Sequence, residues 1–461
     1  MWKSLSLHKY WTSLLLGALF LPALGRALEQ PPGAGNLALV IEQEVQRMAR
    51  ASAEQGGLWP GFDPLAVPLA IFDGERTTLF RHPAPPAGFV QDSSDAPGAF
   101  VQAGRFEAIT ANSSATIGGV PSATLMVGQA PAEALPLNLA AVAIHESFHV
   151  FQRERHPGWM GNEADLFTYP TDSVELLAQR RLETDALRRA LAADDEAEMA
   201  CWARQALAMR GQRYARMDSV YSAYERGTEL NEGLATYVEM RAAGRQALEI
   251  PPEEFGPTQL RRRAYTTGAA LALLLDRFQP GWPAAFNAND DQTLDEALAA
   301  RLGTGSVCEF AAADVAEAER QASADVARLS QERERQLARF EERPGWKLVI
   351  EVVGGEPLWP QGFDPLNVER VGGTRILHTR YLCLGNSSGR LEVLNHAALT
   401  DGSGPHPLFN GIRVVELTGL PEPELSRAQG TVTLKAEGLT LAFKGASAQR
   451  RGEVITVRVG S

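Results

Sequence analysis

Apolar residues recur at Leu37, Val40, Ile41, Val45 and Met48, close to the helical period, and predict an amphipathic helix over residues 37–53. A Gly/Pro-rich stretch at 58–65 follows. Short apolar runs at 68–72 and 77–80, joined by Asp73-Gly74, predict a β-hairpin. Further strands are predicted at 100–109 and 123–127, and together these make a small antiparallel sheet. The middle of the chain has helical periodicity. Helices are predicted at 139–155 after a capping Asn138, at 173–192, 196–217, 229–243 and 257–278, and as a long, largely solvated connector at 312–342. Beyond Pro344 the texture changes to short strands separated by turn residues, at 346–353, 375–384, 389–394, 413–417, 431–436 and 454–459. That spacing predicts a separate all-β domain of sandwich or barrel type.

The run Leu58-Trp59-Pro60-Gly61-Phe62-Asp63-Pro64-Leu65 recurs, with one residue inserted, at 358–366. It is either a duplicated ligand-binding loop or a repeated turn. The turn is the expected reading, with Trp and Phe docked on a core, because aromatic side chains in such bends usually pack.

Composition narrows the picture. With 461 residues, 44% apolar and 22% charged, the chain is long enough for two or three globular domains. Residues 1–27 combine a weakly basic start, an apolar run at 11–24 and small residues at Ala23, Gly25 and Ala27. They are expected to be a cleaved signal peptide. Cleavage removes three positive charges and no acid, taking the net charge from −12 to −15. So acidic a chain is a poor partner for nucleic acid. No later segment is long and apolar enough to insert stably in a membrane, so an exported protein, periplasmic or secreted, is expected. The three cysteines, Cys201, Cys308 and Cys383, fit no metal-knuckle spacing. Three buried thiols are the preferred reading, with a Cys201–Cys308 bridge the alternative.

The chemistry concentrates at His145-Glu146-Ser147-Phe148-His149, an HExxH motif in a chain with only eight histidines. The four-residue spacing puts both imidazoles on one helix face, where they can share a tetrahedral Zn²⁺. Glu146 can reach a water at that metal and take its proton. The apolar flank Ala141-Val142-Ala143-Ile144 argues against two ordinary surface histidines, because an unpaired histidine pair in a core is costly.

A third metal ligand is then required. Asn231-Glu232-Gly233-Leu234-Ala235-Thr236-Tyr237-Val238-Glu239 resembles the N-E-G-F-A-x-Y-x-E helix of the gluzincin metallopeptidases, in the branch typified by aminopeptidase N. Tyr265-Thr266-Thr267-Gly268-Ala269 is similar to that branch's Y-x-K-G-A element. The resemblance implies Glu232 as third zinc ligand and Tyr265 as the phenol that stabilises an oxyanion. Glu239 is either an outer carboxylate on a ligand histidine or a solvated helix acid. Arg261-Arg262-Arg263 is either a charge balance or substrate anchor for the site, or a solvated face. Because Glu232 lies 83 residues beyond His149, residues 170–220 are expected to be a helical insertion that shapes or covers the cleft. The branch's exopeptidase element, G-x-M-E-N, is missing before His145, which leaves endo- and exopeptidase action open.

The expected fold is therefore α+β: a gluzincin-like zinc domain at 28–343 with a small antiparallel edge sheet, then an all-β domain at 344–461. The expected function is a zinc-dependent hydrolase acting on peptide or protein, with strand 123–127 open to pairing with an extended substrate. A zinc hydrolase of a non-peptide substrate and a binding protein with a vestigial site are the alternatives.

Overall fold

The computed structural model describes residues 37–92, 98–127, 136–250, 255–364 and 367–460. The expected signal segment and the end of the second aromatic repeat lie outside them. The fold is α+β and divides into two compact units, Met1–Asn162 with Ala178–Ala318, and Glu163–Leu177 with Glu319–Ser461.

In the first unit, helix α1 (Leu37–Glu54) buries Ala38, Ile41, Val45 and Met48, the stripe its periodicity requires. Strands β1 (Leu69–Phe72), β2 (Arg76–Phe80), β3 (Val90–Gln91), β4 (Phe100–Ala103), β5 (Ser113–Ile117) and β6 (Val120–Met126) form one sheet in the order β3-β4-β2-β1-β6-β5. The β1–β2 turn is closed by Asp73, whose carboxylate accepts the backbone N–H groups of Glu75 and Arg76.

Three expectations need correction here. The sheet is mixed, because β6 pairs parallel to β1; a run's alternation does not reveal the direction of its neighbour, which the connection sets. The strand expected over 100–109 stops at Ala103, where Gly104 turns the chain at φ 76°. Lastly, β6 has neighbours on both sides, β1 and β5, so its backbone is closed to an added peptide strand.

Helix α2 (Pro136–Arg155) starts before Asn138, which sits in its first turn rather than capping it; proline suits an opening position because its missing N–H is unneeded there. Ala140, Ala141, Ala143, Ile144 and Phe148 are all buried, and α2 packs against α1 and β6. Helices α3 (Val174–Ala192) and α4 (Glu196–Tyr214) follow, the latter capped by Asp195. The helix expected at 229–243 is the end of a longer run, α5 (Ser219–Thr228), a π-helical turn (Glu229–Gly233) and α6 (Leu234–Ala242). Then come α7 (Leu260–Phe278), the short α8 (Trp282–Phe286) and α9 (Leu294–Leu302), and α10 (Ala312–Glu341). No helix among the described residues is long and apolar enough to cross a membrane.

The two aromatic repeats fold differently. Trp59 is buried, edge-on to Phe148, Trp159, Tyr237 and Trp282, as a docked turn requires. Trp359 opens an edge strand (Trp359–Phe363) and is 38% exposed. The shared letters therefore carry no shared structure. Cys201 and Cys308 form a disulfide and Cys383 is a buried free thiol, which replaces the expectation of three thiols.

The second unit packs a seven-stranded and a six-stranded sheet. Their inner faces meet in one apolar core that includes Ile350, Leu384, Val415 and Phe443. The unit boundary falls within α10 rather than at residue 344. The reason is packing: Phe340 near the end of α10 is buried in a cluster with Leu377, Ala397 and Leu399 of the strands. The expected solvated connector is thus partly core. The run expected as one strand at 375–384 is two, Arg375–His378 and Tyr381–Asn386, one in each sheet.

His378 lies in this unit with no exposed surface; one ring nitrogen meets Thr400 Oγ1 at 3.2 Å and Nδ1 has no partner. Burial lowers its pKa to about 3. The unfolded chain therefore takes up this proton first, near the ordinary value of ~6.5, and stability falls as pH drops from there toward 3. By about pH 4 the expected loss is roughly 3 kcal/mol. Urea unfolding across that range should show the slope in the wild type and a flatter one in His378→Gln, even if the variant is less stable overall.

Candidate metal centre

His145 and His149 project from one face of α2, and Glu232 projects from the π-helical turn before α6. Their nearest atoms converge. His145 Nε2 and His149 Nε2 stand 3.1 Å apart, and Glu232 Oε2 lies 3.6 Å from the first and 3.2 Å from the second. All three side chains are buried.

The outer partners fix what these atoms present. Gln152 donates its amide N–H groups to the carbonyls of Leu230 and Asn231 at 2.9 and 3.0 Å. Its Oε1 therefore faces His149 Nδ1, at 2.8 Å, as an acceptor. His145 Nδ1 faces Glu239 Oε2 at 3.2 Å, and Arg245 holds the other Glu239 oxygen at 3.1 Å. Each Nδ1 thus carries a proton when its ring is neutral, and each Nε2 offers a lone pair. Two such lone pairs and a carboxylate oxygen facing one another repel unless a cation stands between them.

The spacing fits zinc. Three donors bound tetrahedrally at ~2.0–2.1 Å stand about 3.3 Å from one another, and the observed separations are 3.1, 3.2 and 3.6 Å. Glu232 Oε2 has no hydrogen-bond partner of its own. Its other oxygen is engaged by Arg261 at 2.6 Å and Asn231 at 3.2 Å, which leaves Oε2 to point inward alone. The electrostatics make the same demand for positive charge. Burial lowers the pKa of His145, but Glu232, Glu239 and Glu146 outweigh it and raise the value to about 10. Without a metal the site thus holds a proton, which metal binding must displace.

Glu146 lies one residue past His145, and neither of its fully buried oxygens has a partner. Burial raises its pKa, the two histidines pull it back, and it settles at about 7, the range suited to a general base. The Tyr265 ring stacks on His145 at 6.0 Å between centroids, near Glu232 and Arg261. Burial and the Glu232 charge push the phenol well above its ordinary value, so it remains a donor at neutral pH.

Two glycines bring these pieces together. A Cβ on Gly233 would stand 2.5 Å from Gly268 Cα, and one on Gly268 would stand 2.7 Å from Gly233 Cα. The π-helical turn and α7 therefore touch backbone to backbone, and that contact sets Arg261 and Tyr265 beside Glu232. A π-helical turn is itself common where a helix must aim a functional side chain.

Residues 170–220 do not act as a detachable insertion. Glu183 of α3 and Arg210 and Arg213 of α4 are buried in one network with Glu225, Glu229 and Arg263. Arg210 grips both oxygens of Glu229, at 2.8 and 2.6 Å, and Thr267 donates to it at 2.6 Å. Glu229 begins the turn that carries Glu232, so α3 and α4 support Glu232 from behind. The three arginines at 261–263 also part company. Arg261 holds Glu232, Arg262 covers Phe255, and Arg263 is inside the network.

Sequence reasoning passed over Gln152, Arg153 and Arg245. Gln152 is the legible one, since a buried amide at the third position after a metal-type histidine lies on the same helix face. We expect Glu239→Gln and Gln152→Leu each to weaken zinc binding by ~10–100-fold, as loss of outer partners commonly does. Competition against a fluorescent chelator measures this; unchanged affinity in both would show that the ring orientations do not depend on these residues. No protein-family model, curated protein or solved structure matches this chain, so the site is read from its own residues.

Proposed function

We propose that this protein is an exported zinc-dependent hydrolase, and specifically a metallopeptidase of gluzincin type. The carrying observation is the convergence of His145 Nε2, His149 Nε2 and Glu232 Oε2 with both rings turned by outer acceptors. When bound there, zinc supplies Lewis-acid polarisation of a carbonyl and acidifies water. Glu146, buried and unpartnered beside the centre, accepts the attacking water's proton and delivers it to the departing amine. Tyr265, held protonated, donates to the oxygen that gains charge during attack. Arg261 and Asn231 restrain the outer oxygen of Glu232.

Export is supported by the Cys201–Cys308 bridge, since disulfides persist mainly in oxidising compartments. The intact, unpartnered Glu146 speaks against a vestigial site, because burying such a carboxylate has a cost that only a use offsets.

The test is a screen of N-acetylated peptides by mass spectrometry, beside a panel of small esters, lactones and epoxides. Peptide cleavage abolished by a chelator and restored by zinc supports the peptidase. Zinc-dependent turnover of the small panel without peptide cleavage replaces it with the non-peptide hydrolase.

A further inference from the structure

Every acid at the metal centre is already committed. Glu232 and Glu239 hold the histidines, Glu239 is bound by Arg245, and Glu146 stands at the position of the base. Among the described residues none of these acids is left to receive a substrate's ammonium group, and one cation beside them is not committed. Arg153 lies one helical turn after His149, on the same face of α2. Its Nη1 donates to the carbonyl of Ser114 on the edge strand β5 at 3.2 Å. Among the described residues it makes no other hydrogen bond or ion pair.

The side chain is exposed, yet its guanidinium is hemmed in enough by protein that desolvation lowers its pKa, while Glu146 and Glu232 raise it. Its place one turn beyond His149, and the reach of the Glu146 and Glu232 charges, put it beside the metal centre. One nitrogen is pinned to β5, and the remaining edge of the fork is left to donate to both oxygens of a carboxylate, the pairing for which a guanidinium is shaped.

We propose that Arg153 anchors a carboxylate that the substrate carries next to the bond being cleaved, the C-terminus of a peptide being the simplest source. This rests on the zinc reading above, and the two are separable by experiment. Zinc-loaded protein is titrated calorimetrically with acetohydroxamate, which needs only the metal, and with succinic and glutaric monohydroxamates and their primary amides. The expected result is that at least one acid binds about 10–100-fold tighter than its amide, as a charge-assisted pair implies. Arg153→Gln should erase the preference while keeping zinc content and acetohydroxamate affinity. Arg153→Lys should restore only part of it. Acetyl-alanyl peptides ending in a free acid, an amide or an aspartyl amide, bound to zinc-loaded Glu146→Gln, then distinguish a C-terminal from a side-chain carboxylate. Acetohydroxamate binding without any acid preference overturns the assignment of Arg153 and leaves the metal centre standing. Absence of acetohydroxamate binding overturns the metal centre, and the assignment with it.

Discussion

Glu146→Gln is expected to lower turnover on the order of a thousandfold while zinc stays bound. The substitution keeps the size of the side chain and removes only its capacity to take a proton, and general-base groups contribute about 10²–10⁴-fold. Both oxygens of Glu146 are buried without a partner, so replacing one oxygen with an amide breaks no hydrogen bond and the fold should persist. Full activity in Glu146→Gln, on a substrate cleaved in a zinc-dependent way, would remove the base from the mechanism.

The second large effect is on stability. Arg213→Met is expected to destabilise the first unit by about 3–5 kcal/mol, the usual result of breaking one side of a buried ion pair. Arg213 is completely buried and pairs with both Glu183 and Glu225. Burial alone would raise the pKa of Glu225, but Arg213 and Arg263 hold it down at about 2, and Glu183 is likewise held well below the usual carboxylate range. Removing the guanidinium leaves two buried carboxylates sharing Arg210 and Arg263. Both carboxylates have folded pKa values below their unfolded ones, so their contribution is complete above the unfolded value of ~4.3 and disappears as pH falls below it. Thermal unfolding at neutral pH should show a fall in Tm on the order of ten degrees. A change of only a degree or two would mean that the network is dispensable, and with it the idea that α3 and α4 brace the turn carrying Glu232.

The legibility of the site follows from distance along the chain. His145, Glu146 and His149 are set by one helix, and Glu232 and Glu239 by a π-helical turn and the helix that continues it, so most of the site lies in two short stretches of chain. The motif glycines were visible as letters, but their use, a backbone contact between Gly233 and Gly268, joins two elements and has no local trace. The π-helical turn was hidden for a related reason: residues 229–233 have an ordinary helical pattern, and the contacts of Glu229 with Arg210 and Thr267 join separate elements. Helix α10 is largely solvated, as its polar composition suggested, while a few side chains such as Phe340 and Leu337 dock its end on strands. In the all-β part, strands with strong alternation were found, while those with charged or Gly-rich edges, such as Ser447–Arg451 and Val368–Gly372, were passed over because neighbouring strands make them.

The most direct test of the central claim is zinc content by mass spectrometry on the purified protein, beside His149→Ala and Glu232→Ala. The account predicts about one zinc per wild-type chain and none in either variant, since a tetrahedral site that loses one of three protein ligands loses its hold. Stoichiometric zinc in Glu232→Ala, or none in the wild type, would contradict it.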